Sequence, residues 1–172
     1  MAFNFFKKSE PAPKPAGDDN HGKHYVNLKV KNIVRETKDA ISIVFTHPEG
    51  RKIEYKSGQF LSLIATVQGK EVRRSYSLCT SPFVDEDLAV LVKRVDDGVL
   101  SNHLLDTLKI GDSIRVLEPM GHFTTDYSKD KKRHLIMFAG GSGITPMMSH
   151  IKSTMNQEPE SVVSLIYCNR NI

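Results

Sequence analysis

The sequence predicts a six-stranded antiparallel β barrel followed by a single βαβ unit of an α/β domain. Three observations support this prediction. Between residues 24 and 117, six short segments alternate apolar and polar side chains and are separated by turn residues, a pattern typical of antiparallel barrels. After residue 133 this alternation gives way to continuous apolar runs, which indicate strands covered on both faces. A glycine-rich turn and a helical stretch separate two such runs, which completes a βαβ unit.

Each predicted barrel strand is bounded by Gly, Pro, Asp or Ser, the residues that favour turns. The first two strands are joined by a turn at residues 36–39. A short helix, Ser101–Leu108, lies between the fifth and sixth strands and ends before Gly111. The six predicted strands are His24–Val34, Ala40–Thr46, Phe60–Val67, Val72–Leu78, Leu88–Val95 and Ser113–Leu117.

The second part of the chain is predicted to begin at the apolar strand His134–Ala139 and to return at Val162–Tyr167, with a helix from Thr145 to Asn156 between them. A doubly wound sheet needs several such units, so we expect this domain to be incomplete. Residues 9–23 combine prolines, glycines and scattered charge, a composition typical of disordered segments. We therefore expect a disordered tail at 1–23, the barrel at 24–127 and an incomplete α/β domain at 128–172.

Composition excludes several functional classes. The net charge of +4 is too modest for a nucleic-acid partner, which calls for a clustered basic face, and the basic run Lys129–His134 is interpreted as a solvated loop. Cys79 and Cys168 form no Cys-x-x-Cys pair, and the histidines lack ligand spacing, so no metal site is predicted. No export signal and no apolar run of about 20 residues is found. We expect a cytoplasmic protein with no membrane partner.

The first candidate site is the stretch Arg73-Arg74-Ser75-Tyr76-Ser77-Leu78. On a strand, Arg74, Tyr76 and Leu78 point to one face and the two serines to the other. A guanidinium can hold phosphate oxygens in a bidentate fork, and a phenol ring can stack on a flat ligand. Taken alone, the same stretch is equally typical of an exposed strand with an incidental arginine and tyrosine.

Two further stretches offer candidate anion sites at helix starts. Gly98-Val99-Leu100-Ser101-Asn102 leads into the predicted short helix, whose first amides could hold a phosphate; a merely well-capped helix explains it too. Ala139-Gly140-Gly141-Ser142-Gly143-Ile144-Thr145-Pro146 lies between a strand and a helix. Its glycines allow close approach of a pyrophosphate, and Pro146 suits a first helical turn. It is neither a Walker loop nor the Gly-x-Gly-x-x-Gly fingerprint.

The three motifs in this order, over about residues 24–171, resemble the ferredoxin–NADP reductase superfamily. The nearer resemblance is to its bacterial oxygenase-reductase branch, exemplified by phenylacetyl-CoA oxygenase reductases. It implies a Greek-key, FAD-binding barrel followed by an NAD(P)-binding domain truncated after its first βαβ unit. It also implies an oxidoreductase that passes electrons from NAD(P)H through FAD to an iron–sulfur protein or domain outside this chain.

The resemblance also implies roles for individual residues. Arg74 would hold the FAD pyrophosphate, Tyr76 would pack on the isoalloxazine ring, and Ser77 would lie beside the flavin nitrogen that accepts hydride; Tyr76 and Ser77 are thus the implied catalytic residues. Thr145 would lie near the flavin edge. Further cofactor contacts are implied for Leu78, for Val92, Lys93 and Arg94, for Gly98, Val99, Leu100 and Ser101, and, toward the nicotinamide dinucleotide, for Gly140, Gly141, Ser142 and Gly143.

A second interpretation is a flavin-binding electron-transfer or sensor module without NAD(P)H turnover of its own. Continuation of the reading frame into further βα units would favour the reductase. The residues that complete the family's nicotinamide pocket, and those that distinguish NADH from NADPH, follow later strands. Cys79 is interpreted as a small buried thiol, and His103 and His122 as structural or exposed residues, because hydride transfer to a flavin needs no dedicated general base.

Overall fold

Residues 25–169 are described in a computed structural model of the chain. The predicted tail at residues 1–23 lies outside this range. Six antiparallel strands form one sheet in the order β4-β3-β6-β1-β2-β5. A helix, α1 (Val99–Thr107), connects β5 to β6. The strands are β1 (Tyr25–Thr37), β2 (Ala40–Thr46), β3 (Phe60–Val67), β4 (Lys70–Ser77), β5 (Leu88–Lys93) and β6 (Ser113–Met120).

The sheet closes on itself almost completely, which confirms the predicted barrel. Its outer strands β4 and β5 meet through the single bridge Leu78–Val90, and the amide of Cys79 donates to the carbonyl of Ala89 at 2.9 Å. Strand β6 returns to lie between β1 and β3. The inward-facing residues are aliphatic or aromatic and buried: Leu28, Val30, Ile41, Ile43, Phe45, Leu61, Leu63, Leu78, Val90, Val92 and Val116.

Strand boundaries differ from the sequence prediction where turns are tighter than expected. Strand β4 begins at Lys70 because the hairpin turn consists of only Gln68 and Gly69. Both turn residues have positive φ, 51° and 73°, as two-residue hairpins of the I′ type require.

Helix α1 begins at Val99, two residues before the predicted start. Its N-cap is Gly98, whose backbone conformation starts the helix without a side-chain cap.

The second unit is the predicted βαβ arrangement. Strand β7 (His134–Gly140) is followed by a 3₁₀ turn (Gly141–Gly143), helix α2 (Ile144–Gln157) and strand β8 (Val162–Cys168). The two strands pair in parallel, with His134 opposite Val162. Only one face of β7 is covered, because Ile136 and Phe138 are 59% and 69% exposed. The prediction that this strand is covered on both faces was therefore wrong.

The basic run Lys129–His134 was wrongly interpreted as entirely solvated. Arg133 turns inward and donates from Nη2 to Glu158 Oε1 at 2.7 Å and from Nε to Oε2 at 2.9 Å. The Glu158 side chain is fully buried and also accepts from the Ser161 hydroxyl at 2.9 Å. Burial by itself raises the pKa of Glu158, but the hydrogen bonds from Arg133 and Ser161 outweigh it and hold the pKa below its usual range.

No helix within residues 25–169 combines the length and apolar character needed to cross a bilayer. Over the same residues, no cluster of three or more His, Cys, Asp or Glu side chains is placed to hold a metal ion.

Candidate functional site

A cleft of about 610 Å³ lies where the barrel meets the βαβ unit. One wall comes from the end of β4, another from the end of β5 and the turn into α1, and the third from the 3₁₀ turn and the start of α2. The lining residues are Arg74, Ser75, Tyr76, Ser77, Leu91, Lys93, Arg94, Val95, Asp96, Asp97, Gly98, Val99, Leu100, Ser101, Ser142, Gly143, Thr145 and Pro146.

The β4 wall carries the first sequence motif. Tyr76 is half-buried and Arg74 is exposed, while Leu78, two positions further along, is fully buried in the core. Burial raises the pKa of Tyr76 and the nearby Arg74 lowers it, with a net rise, so the phenol stays protonated at neutral pH. Within residues 25–169, neither the Tyr76 hydroxyl nor the Ser77 hydroxyl has a hydrogen-bond partner. Both groups are thus available to a molecule in the cleft.

The Arg74 guanidinium is not committed to a carboxylate. Its Nη1 donates only to the carbonyl of Arg73 at 2.8 Å, and no Asp or Glu in the described part of the chain pairs with it. An exposed arginine at a cleft wall with free donors is suited to bind phosphate in a bidentate fork.

The second wall presents the start of α1. The first helical hydrogen bond runs from the Asn102 amide to the Gly98 carbonyl at 3.2 Å, so the preceding helical amides have no intrahelical acceptor. No side chain caps them. A Cβ on Gly98 would overlap the Ser101 hydroxyl and lie 2.9 Å from the Val95 carbonyl oxygen. Glycine therefore allows the tight approach that leaves these amides open to an anion.

The third wall is the glycine-rich turn. Gly141 has a positive φ of 52°, which favours glycine. The Thr145 hydroxyl donates to the Ser142 carbonyl at 2.6 Å, which ties the first residues of α2 to the turn. Thr145 is itself buried, and Pro146 lies in the first helical turn as expected.

The structure brings most of the predicted site residues to this cleft, but four of them do not line it. Leu78 and Val92 are fully buried core residues. Gly140 lies in β7 opposite Cys168, and the Gly141 carbonyl accepts from the Tyr167 hydroxyl at 3.1 Å. Ser75 and Pro146 also line the cleft; both lie in the candidate stretches but were given no cofactor contact. The lining residues that the sequence did not indicate are Leu91, Val95, Asp96 and Asp97, and each is within two positions of a predicted one.

Two predicted residues line the cleft with their side chains already engaged. Arg94 forms an ion pair with Asp106, and its amide donates to the Asp39 carbonyl at 2.7 Å. Lys93 Nζ donates to Asn169 Oδ1 at 3.3 Å, a contact between β5 and the residue after β8. These side chains are therefore poorer candidates for phosphate binding than Arg74.

The remaining candidates lie outside the cleft. The Cys79 thiol donates to the Ala89 carbonyl at 3.3 Å, and burial raises its pKa to about 11. A thiol that stays protonated behaves as a small apolar group. His103 lies on α1 next to Thr107, and His122 is exposed.

The chain belongs to the oxidoreductase FAD-binding domain family, whose match covers residues 27–125 and thus more than half of the chain. Residues 137–172 match the oxidoreductase NAD-binding domain. The resemblance inferred from the three motifs is therefore confirmed, and the two matches agree with the expected cofactors, FAD and a nicotinamide dinucleotide.

Among curated relatives, the ferredoxin reductase component of 3-ketosteroid-9-alpha-monooxygenase from Mycobacterium tuberculosis (strain ATCC 25618 / H37Rv) is 41% identical over 165 residues. These are 90% of this chain and 45% of that protein. A component of the 1,2-phenylacetyl-CoA epoxidase from Escherichia coli (strain K12) is 36% identical, and the match covers 84% of this chain and 41% of that protein. The chain thus spans less than half the length of these relatives.

Solved structures that are similar to this chain also include FAD- and pyridine-nucleotide-dependent proteins. Phthalate dioxygenase reductase, described as a modular structure for electron transfer from pyridine nucleotides to [2Fe-2S], superposes with a TM-score of 0.72 at 28% identity. The match covers 86% of this chain and 44% of that one. The FAD/NAD-binding domain of nitric oxide dioxygenase from Vibrio cholerae O1 biovar El Tor gives a TM-score of 0.75 at 25% identity, covering 84% and 62%.

The cleft residues fit an FAD molecule. The cleft volume of about 610 Å³ lies in the range of pockets that hold small-molecule cofactors, roughly 300–1,000 Å³. One end offers an aromatic ring and two free hydroxyls at Tyr76 and Ser77. The other surfaces offer a free guanidinium at Arg74 and the uncapped amides after Gly98, a donor set that suits a pyrophosphate.

Proposed function

We propose that this chain binds FAD in the cleft and forms the flavin-bearing part of a reductase. That reductase would take electrons from NAD(P)H and pass them to an iron–sulfur acceptor. The observation that carries the proposal is the convergence of three features on one cleft: the unpaired Arg74, the uncapped start of α1, and the glycine turn before α2. Bound flavin would supply the redox chemistry.

Each cleft residue would have a role that follows from its position. Arg74 and the amides that follow Gly98 would neutralise the two phosphates. Tyr76 would pack against the flavin ring, and Ser77 would direct its free hydroxyl toward the reacting edge. Ser142, Gly143 and Thr145 would bound the space where the nicotinamide approaches. No proton relay is needed, since hydride transfer moves the electrons and the proton together.

The proposed acceptor follows from the roles of two relatives. One relative is the ferredoxin reductase component of a monooxygenase, and phthalate dioxygenase reductase transfers electrons to [2Fe-2S]. We infer a similar iron–sulfur partner here, and no nucleic acid, in view of the net charge of +4. The free thiols Cys79 and Cys168 support a cytoplasmic location, where thiols stay reduced.

The function is tested first by the identity of the bound flavin. We expect purified protein reconstituted with a mixture of FAD and FMN to retain FAD, because Arg74 and the start of α1 provide two anion sites for a pyrophosphate. Chromatography of the cofactor released by denaturation gives the answer. Recovery of FMN would contradict the FAD assignment but not flavin binding.

A second prediction concerns the strength of FAD binding. Arg74→Ala is expected to weaken it by about 1.5–3 kcal/mol, the range for a hydrogen bond to a charged group, or roughly ten- to hundredfold in Kd. Titration of apo-protein followed by flavin fluorescence measures the change. The matched control is Arg73→Ala, which removes a neighbouring guanidinium that does not line the cleft. Equal losses in the two variants would remove Arg74 from the site.

The rival function is a flavin module that does not react with NAD(P)H. Anaerobic stopped-flow reduction by NADH and NADPH distinguishes the two functions. We expect slow reduction of the FAD-loaded chain and fast reduction of a hybrid in which the remaining NAD-binding region of a ferredoxin reductase relative is appended. Hydride transfer requires reacting atoms held about 3–3.5 Å apart, and two strands offer one side of a dinucleotide crevice. A hybrid that is reduced no faster would favour the module.

A further inference from the structure

The buried face of α2 is polar rather than apolar. Its buried residues are Thr145, Ser149, His150, Ser153 and Thr154. The first, second and fourth of these recur at a spacing of four, so they share one side of the helix. An amphipathic helix normally buries an apolar stripe. Polar side chains rather than an apolar stripe therefore form the most deeply buried part of the contact between this helix and the barrel.

Ser153 is the centre of the contact. Its hydroxyl donates to the Ser149 carbonyl at 2.9 Å. Because a hydroxyl has one proton, the Ser57 and Ser81 hydroxyls must be the donors in their bonds to Ser153, at 2.5 and 2.8 Å. Ser81, Ser149 and Ser153 have no exposed surface, and Ser57 is 2% exposed. This set of four serines is called the serine joint below.

Two further contacts beside the serine joint fix the position of α2 along the barrel surface. The Ser149 hydroxyl donates to the Thr80 carbonyl on the barrel at 2.5 Å. One helical turn away, Lys152 pairs with Asp85 at 3.0 Å. A small slide or rotation of α2 would leave several hydroxyls without partners in a dry contact, which is costly. Small side chains also allow the helix backbone to approach the barrel closely.

The serine joint connects two walls of the cleft, the end of β4 and the start of α2. Each wall is only a few residues along the chain from the joint. On the barrel side, Thr80 and Ser81 follow Ser77 by three and four residues. On the helix side, Ser149 is one turn after Thr145. The two sides meet through the buried residues Thr80, Ser81 and Ser149, and hydrogen bonds join them.

We infer that Ser149 and Ser153 are positioning residues that set the width of the cleft between Tyr76 and Ser77 on one side and the turn at residues 142–145 on the other. This inference rests on the proposed function, because the width matters as the gap in which nicotinamide meets flavin. Misplacement by about 1 Å is enough to slow such a reaction roughly hundredfold. The joint acts through the helix and touches no cofactor.

The test compares Ser153→Ala, Ser153→Thr and Ser153→Val with the wild-type chain. Threonine and valine have the same shape, so their difference isolates the hydroxyl from added bulk. Met155→Ala, on the exposed face of the same helix, is the control. Each protein is loaded with FAD, and the visible circular dichroism of the flavin is recorded well below the unfolding temperature. Deuterium uptake of residues 141–148 is measured with and without FAD.

In wild type and Met155→Ala, FAD is expected to slow deuterium uptake in residues 141–148. In Ser153→Ala and Ser153→Val, this slowing is expected to shrink at least about tenfold, because the buried Ser57 and Ser81 hydroxyls both lose their acceptor. The flavin dichroism is also expected to change. Ser153→Thr restores both relative to Ser153→Val. FAD affinity should stay within about threefold throughout, because Arg74 and α1 are untouched.

Unchanged dichroism and protection in Ser153→Ala would overturn the inference, as would equal behaviour of the threonine and valine variants. Absence of FAD binding by the wild-type chain would instead contradict the proposed function. In that case, deuterium uptake without FAD still tests the joint, since Ser153→Ala must exchange faster than Met155→Ala over residues 141–148.

Discussion

Gly58→Ala is expected to destabilise the fold by about 2–5 kcal/mol, the sum of left-handed backbone strain and overpacking. Gly58 has a φ of +88°, and a Cβ there would overlap the Phe123 carbonyl oxygen and His150 Nε2. Those two atoms already share a hydrogen bond of 2.9 Å. The His150 Nδ1 in turn accepts from the Tyr127 hydroxyl at 2.6 Å. The added methyl group therefore breaks the hydrogen bonds that join α2 to the segment between β6 and β7.

Urea denaturation measures the loss in the free energy of unfolding, provided that variant and wild type have the same m-value. Gly50→Ala is the control, since Gly50 has a similar φ of +70° but nothing within 4 Å of the added Cβ. Gly50→Ala should therefore lose only the stability that backbone strain costs, about 1–2 kcal/mol. If both variants lose the same stability, the contact at Phe123 and His150 is unimportant and backbone strain explains the whole effect.

Arg133→Met is the second large change. It removes the partner of a fully buried carboxylate, Glu158, and breaking a buried pair in this way costs about 3–5 kcal/mol. Because the Arg133 side chain is itself 31% exposed, we expect a value near the lower end, about 3 kcal/mol. Lys132→Met is the control: its partner Glu160 and Lys132 itself are both exposed, so the expected loss is roughly 0–1 kcal/mol.

The pH dependence of this effect separates charge from packing. In the wild-type chain the pKa of Glu158 is lowered despite burial, through Arg133 and Ser161. A lowered carboxyl pKa stabilises the fold at pH values above the unfolded pKa, about 4.3, and this contribution is lost as pH falls through the folded pKa. Without Arg133 the unpaired, buried carboxyl should have a raised pKa. The stability difference between variant and wild type should therefore begin to shrink as pH falls through the variant's raised pKa, above about 4.3, and should go on shrinking down to the lowered wild-type pKa. A constant difference would indicate packing alone.

Local patterns in the sequence predicted much of the barrel. Strands Ala40–Thr46 and Phe60–Val67 have the predicted bounds. Successive side chains of a strand point to opposite faces, so burial of one face gives a pattern that is visible in the sequence. Most cleft residues were also predictable, since each motif is a short stretch whose backbone starts a helix or ends a strand. The start of α1 was misplaced because Gly98 caps it through backbone conformation, with no cap side chain to mark the position.

Long-range polar contacts were not predictable in this way. Arg133 lies in a run of basic residues, and nothing in that run indicates that its partner is Glu158, 25 residues later. The serine joint left a weak signal, the spacing of Thr145, Ser149 and Ser153 along α2. Recognising it requires knowing that Ser57 and Ser81 meet the same face, and only the folded barrel brings them there.

The hairpin turn at Gln68 and Gly69 has a practical consequence for engineering. Both residues are exposed, and the space around Gly69 is open to at least 4 Å. From there β4 extends away toward Ser77, and eight residues of strand span about 25 Å. A peptide tag or fluorophore attachment sequence inserted between these two residues would thus be far from the cleft, outside the serine joint and on the solvent side of the barrel. This turn is the natural attachment point for immobilising the protein on an electrode or a sensor surface with its cleft facing solution.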